Sequence, residues 1–246
     1  MSMGKIQRYK HELDVSYALG ATLTFELVKC HPDWVTRVFL SPSIEETEGL
    51  LRLKELCDLH HIRCETNDKA FNILSPKGNC YVIGEFRKVW LPLEDCSHIV
   101  LVNPSDAGNL GTILRTAVGF GITNIAIIRN AVDFYDPKTI RSSMGAAFHV
   151  RVEYFDTIED YCRRFPQNAR YAFMLTASTP ITEISIRKPY SLIFGNEATG
   201  LPDTFASFCT PIIIRHSHHI DSLNLPMAAG IAMYEFTKPD WRQAGN

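Results

Sequence analysis

Two runs of successive apolar residues constrain the fold more than anything else in the chain. Ile99-Val-Leu-Val102 and Ile125-Ala-Ile-Ile128 carry no polar residue on either strand face. A strand tolerates that pattern only when both faces are covered, as in a parallel sheet flanked by helices. Further short strands are expected at 151–154, 171–175, 190–194 and 211–214, alternating with helical patterns, so residues 93–246 read as one parallel α/β domain. Residues 1–92 read as a smaller three-layer α/β domain. Its strands are expected at 35–40, 62–64 and 81–86, and its helices after Tyr17, after Ser41-Pro42-Ser43 and around 69–73. The helix after Ser43 gathers Glu45, Glu46 and Glu48 at its N-terminal end, where the helix dipole favours negative charge. The last helix, 226–236, is apolar nearly all round and is expected to be buried on every side, in the core or against another subunit.

Composition narrows the classes of partner. A formal charge of −2 over 246 residues is unlike most nucleic-acid-binding domains. Dividing the chain does not change this, with 12 Lys/Arg against 14 Asp/Glu in residues 1–95 and 13 against 13 in the rest. Any RNA surface must therefore be local or shared by two subunits. Seven scattered cysteines without a C-x-x-C pair argue against a disulfide framework or a zinc site and suit a reducing cytoplasm, so no metal is expected. The first residues lack the apolar core of a signal peptide and no stretch approaches 18 apolar residues, so no membrane partner is expected.

Three segments at strand-to-loop junctions carry the candidate chemistry. The first is Asn103-Pro-Ser-Asp-Ala-Gly-Asn-Leu-Gly-Thr-Ile-Leu-Arg-Thr-Ala117, a strand end, a loop and a helix with Asn109 as its expected N-cap. Gly111, Arg115 and Gly119 share one helix face, which leaves the guanidinium room beside a helix N-terminus, a site for something anionic. The second is Leu192-Ile-Phe-Gly-Asn-Glu-Ala-Thr-Gly-Leu-Pro202, a buried strand breaking into a loop around Glu197. The third, Asp221-Ser-Leu-Asn-Leu-Pro-Met-Ala-Ala-Gly230, turns into the last helix with Pro226 in its first turn. Ligands of open α/β sheets bind outside the carboxyl ends of strands, where all three fall. His216-Ser-His-His219 reads as an exposed loop rather than a metal patch, and Lys5, Arg8 and Lys10 as a polar N-terminus.

In order and spacing the three segments resemble the motifs of the SPOUT methyltransferases, in the SpoU/TrmH branch that methylates ribose 2′-hydroxyls of tRNA or rRNA. Asn109, Gly111, Arg115, Thr116 and Ala117 match the first motif; Gly195, Glu197, Gly200 and Leu201 the second; Ser222, Leu223, Asn224 and Ala228-Ala-Gly230 the third. Arg141-Ser-Ser-Met-Gly-Ala146 is a further family-like stretch. Ala198 stands where the family often has Gly, and Leu225-Pro226 replaces its usual small or β-branched pair. The resemblance covers residues 98–236. It implies a SPOUT domain with a deep trefoil knot over 93–246, a homodimer, and S-adenosylmethionine as cofactor. Residues 1–92 more loosely resemble the ribosomal-protein-like domain with which many members bind substrate RNA.

The resemblance further implies that Thr176, Ala177, Gly195, Ile214 and Leu223 hold the cofactor, largely through their backbones. Arg115 would carry the chemistry, positioned with the ribose by Asn109, Glu197, Ser222 and Asn224. A guanidinium normally stays protonated, so Arg115 is expected to stabilise a developing alkoxide and grip the adjacent phosphate, and to act as a base only if substrate binding lowers its pKa. Two rival readings are a catalytically idle RNA-binding or ribosome-assembly protein on the same scaffold and a nucleotide-dependent oxidoreductase. The second lacks a G-x-G-x-x-G after a strand.

Overall fold

A computed structural model describes residues 6–75 and 79–244, the side chains of the last three excepted; Lys5 lies outside the described residues. The chain divides into two compact units, residues 1–89 with 133–149, and residues 90–132 with 150–246.

The first unit begins with β1 (Val15–Leu19), α1 (Ala21–Cys30), β2 (Val35–Leu40), α2 (Glu48–Leu59), β3 (Cys64–Thr66), α3 (Asp68–Leu74) and β4 (Val82–Arg87). Its sheet runs β1-β4-β2-β3, with β4 antiparallel to both neighbours and β3 parallel to β2. Tyr17, Phe39, Ala70, Phe71, Cys80 and Ile83 form a core on one side. Arg37 and Glu85 face each other across β2 and β4 as a buried ion pair at 2.9 Å, with the Thr36 hydroxyl also donating to the carboxylate. Buried charges are tolerated only when paired in this way. Helix α2 starts later than the Ser41-Pro42-Ser43 signal suggests. The Thr47 hydroxyl accepts from the Leu50 N–H at 3.2 Å and caps it, which leaves Glu45 and Glu46 ahead of the helix.

The second unit holds β5 (His98–Val102), α4 (Ala107–Gly119) and β6 (Asn124–Ile128). The chain then supplies the first unit with α5 (Pro137–Ser142) and a 3-10 turn, Ala146–His149. The contiguous division at residue 92 misses this excursion. Ser16 donates to the Tyr135 carbonyl, Tyr135 donates to the Val89 carbonyl, and the Phe86 and Phe148 rings meet edge-on at 5.5 Å. These partners are more than forty positions apart, and local pattern cannot reveal them.

The second unit resumes with β7 (Arg151–Phe155), α6 (Ile158–Arg164), β8 (Ala169–Phe173), β9 (Tyr190–Phe194), β10 (Thr210–Ile212) and α7 (Leu225–Ala244). Its six strands are parallel throughout, in the order β10-β8-β9-β5-β6-β7. Every residue of β6 and β9 is buried, and all of β5 but Val102, as strands covered on both faces require. From β5 the chain steps outward through β6 and β7, then crosses to build the other half. The adjacent carboxyl ends of β5 and β9 therefore lie at a topological switch point. A buried chain of hydrogen bonds, His98 to Tyr161 (2.9 Å), Tyr161 to Ser191 (2.6 Å) and Asn168 to Ser191 (3.2 Å), fixes the amino ends of the same two strands.

Within this chain helix α7 is covered on one side only, so cover for the rest is left to the other half of the expectation, another subunit. Ala229, Ala232, Met233 and Phe236 are buried, with Phe236 against the rings of Tyr171 and Tyr190 and Gly230 facing the Thr116 methyl of α4. Met227, Ile231 and Tyr234, on the opposite side, are 62%, 36% and 50% exposed. An all-apolar helix reveals that its faces want cover, and one neighbour can cover only one face. No helix among the described residues is long and apolar enough to cross a membrane.

Candidate functional site

After Phe194 the backbone folds back on itself so tightly that a Cβ on Gly195 would lie 2.2 Å from the Gly200 carbonyl carbon. Gly200 itself sits at φ +66°, in the left-handed region that favours glycine. The two glycines of the second segment thus answer separate needs, a close approach and a backbone twist. Asn196 holds the loop between them. Its Oδ1 accepts from the Ala198 and Thr199 N–H groups at 2.9 and 3.3 Å, and its Nδ2 donates to the Asn103 carbonyl at 2.8 Å. Asn103, at φ +54°, ends β5 in a conformation that asparagine tolerates better than most residues. Ala198 is exposed and is absent from the positive-φ residues, so a methyl group replaces hydrogen there without strain.

Glu197 joins the second segment to the first. Its carboxylate accepts from the Ser105 N–H (3.1 Å) and hydroxyl (2.8 Å), the Asp106 N–H (3.3 Å) and Asn109 Nδ2 (3.2 Å). Partial burial would raise its pKa. Donors from its own backbone, Ser105 and Asn109 outweigh that and hold the carboxyl below the ordinary carboxylate range. The expected cap of α4 is also corrected here. Asp106 is the N-cap, accepting from the Asn109 N–H at 2.8 Å, and the Asn109 side chain is left free to reach Glu197.

This geometry gives Glu197→Gln a defined outcome. An amide places a donor among donors, so about 1 kcal/mol of stability should be lost at neutral pH, toward the low end because the group is half-buried. A carboxyl whose folded pKa is depressed contributes stability above its unfolded value, near 4.3, and loses it as pH falls through the folded pKa. Urea unfolding of the two proteins should therefore differ at pH 7 and begin to converge as pH falls below about 4.3, the unfolded value. A gap that stays constant with pH would refute the clamp.

Beside the clamp opens a cavity of about 220 Å³ at the carboxyl ends of β8, β9 and β10. Of the residues expected to hold a ligand, Gly195, Ile214 and Leu223 line it, as do Glu197 and Ser222. Thr176 and Ala177 do not. The Thr176 side chain is exposed and its hydroxyl lies 3.4 Å from Asp203 Oδ1, while Ala177 packs partly against the core. Arg115, Asn109 and Asn224 are likewise outside the lining. Asn224 accepts the Ala228 N–H at 3.0 Å with its carbonyl and so opens α7. Arg115 is exposed on α4, and among the described residues nothing pairs with its guanidinium. Asn196, Thr199 and His216 also line the cavity, although the sequence did not single them out for it. Asn196 was visible as the residue between the glycine and the glutamate. His216 was marked only as part of the His216–His219 cluster, which read as an exposed loop.

The cavity combines apolar walls (Ile212, Ile214, Leu223, Leu225) with a stretch of exposed loop backbone. Such a lining suits a ligand with a flat apolar part and a few hydrogen-bonding edges. An unpaired cation on the adjoining α4 adds attraction for an anionic second ligand.

Comparison with known proteins agrees with this picture. Residues 97–234 match the model of the SpoU rRNA Methylase family. The chain is 31% identical over 146 residues to an uncharacterized tRNA/rRNA methyltransferase of Synechocystis sp., spanning 58% of this chain and 53% of that protein. It is 30% identical over 159 residues to the 23S rRNA (uridine(2479)-2'-O)-methyltransferase of Streptomyces viridochromogenes, spanning 58% and 52%. These curated relatives are thus matched over about half of their length. The crystal structure of an AdoMet-bound rRNA methyltransferase from Sinorhizobium meliloti is similar at a TM-score of 0.78 and 25% identity, covering 92% of this chain and 88% of that one.

Proposed function

Because the chain belongs to the SpoU rRNA methylase family, we propose that it transfers a methyl group from S-adenosylmethionine to a ribose 2′-hydroxyl of tRNA or rRNA. The observation that carries this reading is the Glu197 clamp. It fastens the Arg115-bearing helix start to the loop that walls the cavity.

The residues present fit the cofactor. The close backbone approach at Gly195, the backbone of the 195–200 loop and the apolar faces of Ile212, Ile214, Leu223 and Leu225 suit an adenine ring edge and its ribose. Bound there, the cofactor supplies a methyl group already activated by a sulfonium. The chain's own residues must then deal with a weakly acidic hydroxyl. Arg115 donates to the developing oxyanion and to the neighbouring phosphate while the hydroxyl proton passes to solvent water. Ser222, on the cavity wall, and Asn109, held by Glu197, orient the ribose and α4, while Asn224 fixes the turn into α7.

The reading extends to the surroundings of the site. The C-terminal segment of the second unit threads through a loop to form the family's trefoil knot. The first unit recruits the RNA, and the work is done in a cytoplasm that keeps the free cysteines as thiols. Two subunits associate through the exposed Met227, Ile231 and Tyr234 face of α7. On that reading Ile231→Asp should convert a dimer to a monomer in sedimentation equilibrium while leaving the fold intact, since Ile231 is already exposed. An unchanged mass would remove α7 from the interface.

The test of the function is transfer of labelled methyl from the cofactor to bulk RNA, with the product located on ribose. An idle relative of the family would transfer none.

A further inference from the structure

The cysteines look uninformative in sequence because no two are placed as a metal pair. The fold nevertheless brings one of them to a glutamate and a histidine within the first unit. Glu26 and Cys30 are four apart on α1 and share one face of that helix; His149, the last residue of the 3-10 turn, arrives from more than a hundred positions downstream. Cys30 Sγ lies 3.4 Å from Glu26 Oε1 and 3.6 Å from His149 Nε2, and His149 Nε2 lies 2.8 Å from Glu26 Oε1. All three donor atoms fall within 4.8 Å of one another. The approach is enforced by Gly145. Its φ is +95°, and a Cβ there would lie 3.2 Å from Glu26 Cγ, so the turn carrying His149 sits directly over the glutamate.

We propose that Glu26, Cys30 and His149 form a binding site for a divalent transition metal, with Zn²⁺ as the ion that best suits the set. A tetrahedral ion about 2.3 Å from sulfur and about 2.0 Å from nitrogen and oxygen requires S···N and S···O separations of about 3.5 Å and N···O of about 3.3 Å. The two sulfur separations already have that value. The third is a hydrogen bond that must open by about half an ångström, and both side chains have freedom to do so, being 41% and 28% exposed. Thiolate, imidazole and carboxylate together favour Zn²⁺ over Mg²⁺ or Ca²⁺, which take oxygen sets. His149 faces solvent, which leaves the fourth position for water. The ion would fasten the Asp133–His149 excursion to α1, a role independent of methyl transfer.

Chelator-treated full-length protein titrated with Co²⁺ is expected to bind one equivalent, with a near-ultraviolet thiolate-to-cobalt band and visible bands of tetrahedral strength. Zn²⁺ should displace it. Cys30→Ser should abolish the thiolate band, and His149→Ala should weaken binding at least about tenfold, the loss that follows even from disturbing a group behind a ligand. Zn²⁺ should also slow alkylation of Cys30 in the unmodified protein, read by peptide mapping, which requires no variant to fold. No thiolate band, a band undiminished in Cys30→Ser, or alkylation of Cys30 at the same rate with and without Zn²⁺ would each overturn the site.

Discussion

Replacing Arg115 with alanine is expected to lower methyl transfer to RNA by about 10²–10³-fold, the loss typical when one preorganised donor to a developing oxyanion is removed. S-adenosylmethionine should bind as before. The side chain lies outside the cavity lining, and no residue described in the structure pairs with it, so its removal breaks nothing that the fold relies on. Exposed substitutions of this kind change stability by about 0.5 kcal/mol or less. A loss of rate with unchanged cofactor affinity is therefore the diagnostic combination, read by labelled-methyl transfer and by calorimetry. Arg115→Lys keeps the charge but not the two-pronged fork, and is expected to fall between the two. Equal rates for Arg115→Ala and the unmodified protein would sink the assigned role, and with it the proposed chemistry.

Gly195→Ala is expected to do the reverse, weakening cofactor binding before any chemistry. The added carbon would stand 2.2 Å from the Gly200 carbonyl carbon, 2.3 Å from its oxygen and 2.5 Å from the Leu201 nitrogen. All three are backbone atoms, so no side chain can swing away to make room. The loop must open, and it carries Asn196 and Glu197 with it, undoing the ties to Asn103 and to Ser105, Asp106 and Asn109. Overpacking costs about 1–3 kcal/mol, occasionally more, and the upper figure is about a hundredfold in Kd. Calorimetry with S-adenosylmethionine checks it, with Ala198→Gly as the comparison, since residue 198 is exposed and needs no glycine conformation. Gly195→Ala binding the cofactor as tightly as the unmodified protein would show that the loop does not form the cradle.

Much of the second unit was legible because its signals are local. The unbroken apolar runs at Ile99–Val102 and Ile125–Ile128 can be satisfied only by doubly covered parallel strands, and both became central or near-central strands. The glycines of the 195–201 loop were legible for the same reason, since the backbone itself demands them. What the sequence concealed was long-range. Asn109 has the chemistry of a cap, but Asp106 three residues earlier took that place, and the choice was decided by a glutamate 88 positions away. Thr176 and Ala177 were assigned through backbone contacts, which leave no side-chain signature, and neither lines the cavity. The exposed face of α7 was hidden because apolarity records a need for cover without saying what provides it.

The excursion of residues 133–149 has a consequence for how the molecule is made. The first unit is assembled from two stretches of chain separated by a helix and two strands of the second. During synthesis, residues 6–89 emerge with the Val89 carbonyl lacking Tyr135 and Phe86 lacking Phe148, and they stay so until residue 149 has left the ribosome. By then β5, α4 and β6 have already been made. Closing such a loop costs entropy before its contacts repay it, which delays completion of the unit. The N-terminal sheet is thus first in sequence yet can finish folding only after part of the second unit has been made, and a fragment ending near residue 92 would lack the piece that closes it.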